Sequence, residues 1–155
     1  AENAKFKSIV LPVTPAQLWE GLWYPPTQDP DNIISQFGSR RTYNDDPGVY
    51  YHTGLDLGYR GGIDVYAPAV GTVIGVFPDQ VVRGNSIVID HGLGVYTIYM
   101  HLKEILVEQG AVVEAGQLIG FIGTTGRSTG PHLHFEVDIQ GTPVNPLTWL
   151  RRAFP

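Results

Sequence analysis

From about residue 33 onward the chain is a succession of short β-type runs, at 33–37, 64–67, 72–77, 86–90, 96–100, 117–122 and 132–138. Turn residues fill the gaps: Gly61-Gly62, Asp79, Gly84-Asn85, Gly92, Gly94, Gly110, Gly116 and Gly141. Runs this short and this often interrupted predict an all-β domain of antiparallel strands and tight turns, not a helical bundle. Composition agrees, with 19 glycines and 12 prolines in 155 residues and charged residues at only 16%, against about a quarter in ordinary globular chains. That length suits one domain, which buries roughly two-thirds of its unfolded surface. An internal echo, Ala67-Pro68-Ala69-Val70-Gly71-Thr72-Val73-Ile74-Gly75 against Val113-Glu114-Ala115-Gly116-Gln117-Leu118-Ile119-Gly120, suggests two related hairpin units.

The opening of the chain reads differently. Trp19, Trp23, Tyr24 and the prolines Pro12, Pro15, Pro25, Pro26 and Pro30 are concentrated there, which marks 1–32 as an N-terminal extension and 33–155 as the main domain. Thr14-Pro15-Ala16-Gln17 has the cap, the first-turn proline and the glutamine of a capping box. It predicts a short helix over about 15–22, whose Leu18, Trp19, Leu22 and Trp23 would pack on the domain. At the other end Asn145 can cap, and Pro146 begin, a last short helix.

Cysteine is absent. This excludes a disulfide framework, a thiolate-bound zinc or iron–sulfur site and a thiol nucleophile. Metal or base chemistry therefore falls to five histidines and fifteen carboxylates. A formal net charge of −5 provides no basic footprint for nucleic acid or an anionic membrane. No apolar run approaches the roughly 18–20 residues needed to span a bilayer, and Ala1 opens a polar stretch without a signal-peptide pattern.

Three segments could carry chemistry. In Gly130-Pro131-His132-Leu133-His134-Phe135-Glu136 a strand would put His132, His134 and Glu136 on one face and Leu133 and Phe135 on the other. Both imidazoles could then point at one metal or one substrate, and spacing alone does not say which of them would be a ligand. In His52-Thr53-Gly54-Leu55-Asp56 an imidazole and a carboxylate, both good zinc ligands, would lie about 13 Å apart along a straight strand. Gly54 between them offers the bend that would join them. Tyr99-Met100-His101-Leu102 ends an alternating run, where Tyr99 could share the face of His101. Asp90-His91-Gly92 is turn-like, and His91 reads as structural. A catalytic zinc site wants three protein ligands, an open position and neighbouring groups that move protons, and these segments together can supply them. The glycine-rich segment 123–130 lacks the lysine of a phosphate loop, and neither a His-Glu-x-x-His helix nor a Gly-x-Ser-x-Gly elbow is present.

Assembled in order, these motifs resemble the lysostaphin/LytM-type zinc metallopeptidases that cut peptidoglycan cross-links. The resemblance opens at Ile34-Ser35-Gln36-Phe37-Gly38-Ser39-Arg40. It runs through His52 to Leu57, Ala67-Pro68-Ala69-Val70-Gly71, Gly84 to Gly92, Tyr99 to Leu102 and Gly123 to Glu136, and it closes at Gly141-Thr142-Pro143-Val144-Asn145-Pro146. It covers roughly three-quarters of the chain. It implies an all-β, compact antiparallel sheet domain of duplicated-hairpin, barrel-sandwich-hybrid-like type with short N- and C-terminal helices and a groove walled by loops at about 40–51, 78–84 and 124–130. It also implies one Zn2+ per chain held by His52, Asp56 and His134, with His101 and His132 assisting an activated water in amide hydrolysis and Glu136 available to orient a ligand. The implied substrate is the peptide stems and cross-links of the bacterial wall, met outside the cytoplasm by this chain alone or as part of a larger protein. Relatives that have lost ligands serve as activators of other wall hydrolases, but here every position is filled. The segment 112–120 also looks like half of a biotin- or lipoyl-carrier domain, yet 95–130 has only Lys103 and no turn lysine.

Overall fold

The glycine-punctuated runs form strands in the computed structural model, which describes residues 2–10, 12–43 and 46–155. Residues 1 and 11 of the N-terminal extension, and residues 44 and 45 of the expected groove wall at 40–51, lie outside the described residues. The elements are α1 (Glu2–Ile9), β1 (Ile33–Ser35), β2 (Arg40–Tyr43), β3 (Asp46–Tyr51), β4 (Leu55–Leu57), β5 (Asp64–Tyr66), β6 (Gly71–Gln80), β7 (Gly84–Asp90), β8 (Val95–Ile105), β9 (Val112–Val113), β10 (Leu118–Ile122), β11 (Leu133–Ile139), β12 (Thr142–Val144) and α2 (Pro146–Arg151). Ten strands make one antiparallel sheet in the order β1-β4-β11-β8-β7-β6-β9, with β10 joining β8 to β5 and β12 lying beside β11. The hairpin β2-β3 stands apart as a second, two-stranded sheet.

The echoed segments pair with each other. With β5, which ends just before Ala67, counted to the first, each is a strand, a turn and a strand, and β5 joins β10 of the second while β6 of the first joins β9 of the second. Ala67 N–H donates to Gln117 O and Gly116 N–H donates back to Ala67 O, closing the crossing.

Strand β8 is buried on both faces from Val95 to Leu102, so each set of its alternating residues meets a different cluster. Val95 and Tyr99 face the main core with Leu55, Leu57, Leu133, Phe135 and Val137. Tyr96, Ile98 and Met100 face a smaller cluster closed by Phe6 within α1 and Val10 just beyond it.

The N-terminal helix lies at 2–9, and the helix expected over 15–22 does not form. Trp19 and Trp23 are 5% and 3% exposed while Leu22, meant for the same face, is 60% exposed. The amides near Trp19 and Trp23 bond to the sheet's turns instead of to carbonyls four residues back, with Leu18 N–H donating to His91 O and Tyr24 N–H to Pro68 O. Gly21 has a φ of 61°, which ends any helical turn there. Burial of two indoles thus outweighs the capping signal, and both rings pack on Trp149 of α2, Trp19 edge-on at a centroid distance of 5.5 Å and Trp23 tilted at 4.9 Å. Helix α2 starts as its sequence requires, with Asn145 Oδ1 accepting from Leu147 N–H at 3.1 Å. Trp23→Ala is expected to lower stability by about 3–5 kcal/mol, and Leu22→Ala to change it by less than about 0.5 kcal/mol, both read from urea unfolding. Similar losses at both positions would instead fit the helix.

Candidate metal centre

Strand β11 alternates as its sequence demands, sending Leu133, Phe135 and Val137 into the core and His134, Glu136 and Asp138 to the opposite face, where all three are also buried. Its neighbour β4 sets Asp56 directly opposite His134. Just before β4 the chain passes over β11 so closely that a Cβ on Gly54 would stand 2.6 Å from Phe135 O and 2.9 Å from His134 Nε2. Only glycine fits, and across this crossing His52 Nε2 comes to 3.1 Å from Asp56 Oδ1.

His101 arrives by a different device. Ile87 pairs with Tyr99 and Asn85 with Leu102, so Met100 and His101 together oppose one residue of β7. This is a β-bulge, and His101 has a φ of 65° within it. The bulge shifts the alternation by one, returning Leu102 to the main core and turning His101 into the pocket. Tyr99 stays on the core side of the bulge. Its hydroxyl is 2.8 Å from Thr97 Oγ1, and burial pushes its phenol far up, so it does not share the face of His101. His132 precedes β11 and is bridged to Gly123.

These five side chains line a pocket of about 490 Å³. Its walls come from the segments expected to provide them: Arg41 and Tyr51 from the β2-β3 hairpin, Val82 and Arg83 beyond β6, and Arg127 and Ser128 before β11. His91 is elsewhere, fully buried, its Nδ1–H donating to Val70 O and its Nε2 accepting from Thr97 Oγ1 at 2.8 Å. Burial lowers its pKa to about 4 and keeps it neutral, in line with a structural imidazole.

The outward hydrogen bonds decide which ring nitrogens face inward. His52 Nδ1 donates to Gln36 O at 2.9 Å, His101 Nδ1 to Thr125 O at 2.8 Å and His132 Nδ1 to Gly130 O at 2.8 Å. A carbonyl can only accept, so each of these nitrogens carries a hydrogen, and the Nε2 of each ring is the atom left to face the centre. His134 Nε2 donates outward to Glu136 Oε1 at 2.8 Å, and Thr53 Oγ1 donates to the same oxygen at 2.6 Å. His134 Nδ1 then lies 2.9 Å from Asp56 Oδ1 and 3.2 Å from His52 Nε2.

One hydrogen on His134 Nδ1 thus serves two acceptors, in a buried site where unshared lone pairs and a carboxylate converge. Burial disfavours charge on both partners, but the contact overrides it, holding Asp56 far below the usual carboxylate range and pushing His134 up to about 9. His101, without a carboxylate contact, is lowered to about 4, chiefly by burial. Protonated His134 thus supplies the one hydrogen that Asp56 and His52 share, at the place a bound cation would take. The ligand atoms of His52, Asp56 and His134 all lie within 4.8 Å of one another. Their 2.9–3.2 Å contacts approach the edge of about 3.3 Å expected for a tetrahedron with bonds of about 2 Å, so they could hold a zinc-sized ion.

The site has one further residue that the motifs did not single out. Arg41 Nη2 donates to Asp56 Oδ2 at 3.2 Å. It lies on a strand absent from the expected runs, and the neighbouring Arg40-Arg41 pair has no periodicity that would separate an inward from an outward guanidinium.

Comparison with known proteins agrees with this architecture. A family model described as Peptidase family M23 matches residues 50–146. The chain is 42% identical over 115 residues to the peptidoglycan DD-endopeptidase ShyA of Vibrio cholerae, covering 74% of this chain and 26% of that protein. Among solved structures it superposes on a zinc-containing peptidase from V. cholerae with a TM-score of 0.74 and 36% identity, covering 88% of this chain and 41% of the other. It superposes on the catalytic domain of lysostaphin from Staphylococcus simulans with a TM-score of 0.67 and 30% identity, covering 77% and 91%. This chain belongs to peptidase family M23. It spans about a quarter of the length of the curated relatives it matches.

The crossing at Gly54 yields a direct test. Gly54→Ala is expected to destabilise the protein by about 1–3 kcal/mol in chemical denaturation, because the contacted Phe135 carbonyl is sheet backbone. Gly130→Ala, where a new Cβ meets nothing within 4 Å, should cost less than about 0.5 kcal/mol.

Proposed function

We propose that this chain is a zinc-dependent endopeptidase that hydrolyses amide bonds in the peptide cross-links of bacterial peptidoglycan, outside the cytoplasm. The observation that carries the reading is the convergence of His52 Nε2, Asp56 Oδ1 and His134 Nδ1 on the floor of an open pocket, with the Nε2 atoms of His101 and His132 beside them. Membership of a metallopeptidase family and likeness to a peptidoglycan DD-endopeptidase and to lysostaphin support it.

His52, Asp56 and His134 would hold one zinc ion per chain. Such an ion supplies Lewis acidity, polarising the scissile carbonyl and acidifying water near neutral pH. The remaining work belongs to the protein. His132 Nε2 faces the centre, 3.7 Å from Asp56 Oδ1, and its side chain keeps 16% exposure. His132 is assigned as the general base that takes the proton of the attacking water and returns it to the leaving amine. His101 stands beside it with ring centroids 5.0 Å apart and is fixed by Thr125 O, so it orients the reacting groups from the other side. Glu136 holds the ring of His134 through Nε2 and is itself held by Thr53. Because no ligand position is vacant of its side chain, the observations favour an active enzyme over a non-hydrolytic activator module.

Purified protein is expected to contain about one zinc per chain and to release cleaved cross-link peptides from muropeptides, identified by mass. His52→Ala should weaken metal binding at least about 100-fold, whereas His132→Ala should keep the metal and lose about 10²–10⁴-fold in turnover. Intact cross-links in walls of every bridge type would defeat the endopeptidase reading. The pH dependence follows from His134. Its metal-free imidazole, raised to about 9, must shed a proton to accept a metal ion, so the proton competes below that pH. Zinc affinity, measured by chelator competition between pH 6 and 9, should therefore fall as pH falls, by up to about tenfold per unit for each proton displaced.

A further inference from the structure

The two carboxylate oxygens of Asp56 face different neighbours. Oδ1 points into the centre, 3.1 Å from His52 Nε2 and 2.9 Å from His134 Nδ1. Oδ2 points away and accepts from Arg41 Nη2 at 3.2 Å, and the same nitrogen donates to Ser35 Oγ at 2.7 Å. Ser35 Oγ in turn lies 3.4 Å from His52 Nδ1. Asp56 belongs to the main sheet and Arg41 to the separate hairpin, so the guanidinium reaches the carboxylate from outside the ligand set.

A carboxylate binds a metal ion through one oxygen or through both. A guanidinium on Oδ2 occupies the lone pair that a second bond would use, and its positive charge opposes drawing that oxygen toward another cation. A catalytic centre needs the position that a two-oxygen carboxylate would fill. We propose that Arg41 is a positioning residue that keeps Asp56 a one-oxygen ligand and so leaves the pocket side of the centre open to water and to the scissile carbonyl. This inference rests on the zinc-centre reading above. Arg41 gives up some metal affinity, through repulsion between like charges, in return for that open position.

The test compares wild type, Arg41→Gln, Arg41→Lys and Ser35→Ala, each stripped of metal and then loaded with Co2+ or Zn2+. Cobalt absorbs strongly in the visible when four-coordinate and weakly when a fifth ligand joins. Arg41→Gln is expected to lose at least about half of the visible cobalt intensity and, with the repelling charge removed, to bind zinc about 10-fold more tightly in chelator competition. Its kcat on muropeptides should fall while KM changes little. Arg41→Lys, which restores the charge, should recover most of the cobalt spectrum. Ser35→Ala removes the second anchor of Arg41 and should move both readouts the same way by a smaller factor, which keeps the test in force if the glutamine variant does not fold. Metal uptake by wild type with an unchanged spectrum and affinity in Arg41→Gln would overturn the role of Arg41. Weaker zinc binding in that variant would do the same, since it would mean that Arg41 merely holds Asp56 in reach. Wild-type protein that takes up neither ion would overturn the zinc-centre reading itself.

Discussion

The register between β4 and β11 is the constraint on which the rest depends. It sets Asp56 opposite His134 and, in the same stroke, Leu55 and Leu57 against Phe135 and Leu133. Side chains on a strand alternate with a period of two, so a slip of one residue would carry the ligands into the core and the apolar residues into the pocket. Leu55, Leu57, Leu133, Phe135 and Val137 are all fully buried, and each such burial contributes about 1.5–3 kcal/mol. The core therefore holds His52, Asp56 and His134 together around the one hydrogen that they share. Site and core are two faces of one pairing.

The polar face of β11 sets the charge beside the centre. His134, Glu136 and Asp138 follow one another along it, all buried. Burial drives Asp138 well above the usual carboxylate range, with Glu136 adding to the effect, whereas Glu136 is held below its ordinary value because His134 and Thr53 donate to it despite its burial. Asp138 is thus held in its neutral form, and the negative charge behind the ligand ring rests on Glu136, which raises the basicity of that imidazole toward whatever occupies the centre.

Much of this was legible in the residues, and the exceptions have physical causes. The seven expected runs each coincide with a strand, because β propensity and glycine turns agree there. The strands at 40–43, 46–51, 55–57, 112–113 and 142–144 were not anticipated. They are short, and several lie at sheet edges or in the separate hairpin, where no apolar alternation is needed. The bend at Gly54 could be read from sequence as an opportunity, but only the chain packed across it shows that a side chain has no room there. A regular strand would let Tyr99 share the face of His101. One extra residue in the bulge undoes that regularity, and period-two reasoning carries no trace of it. Trp19 and Trp23 fit a helical stripe equally well as a strap of irregular chain, since two indoles four residues apart are buried in either conformation. Arg41 had no signal of its own, because its meaning comes from a carboxylate fifteen residues away.

The crossed pairing of the echoed hairpins bears on how the domain comes into being. Strand β5 cannot find its partner until β10 has been made, and β6 has one free edge until β9 returns from more than thirty residues away. Neither half can close its own edges, so the first hairpin emerging during synthesis must wait with unpaired backbone exposed. Non-local pairing of this kind slows folding, since a long loop must be closed before any contact rewards it. Once formed, the same interlock makes partial opening costly, because releasing either hairpin breaks pairs on both. A nick in the chain between the two units would leave the fragments clasped together, so the domain should resist disassembly at the very connection where it appears to be divided in two.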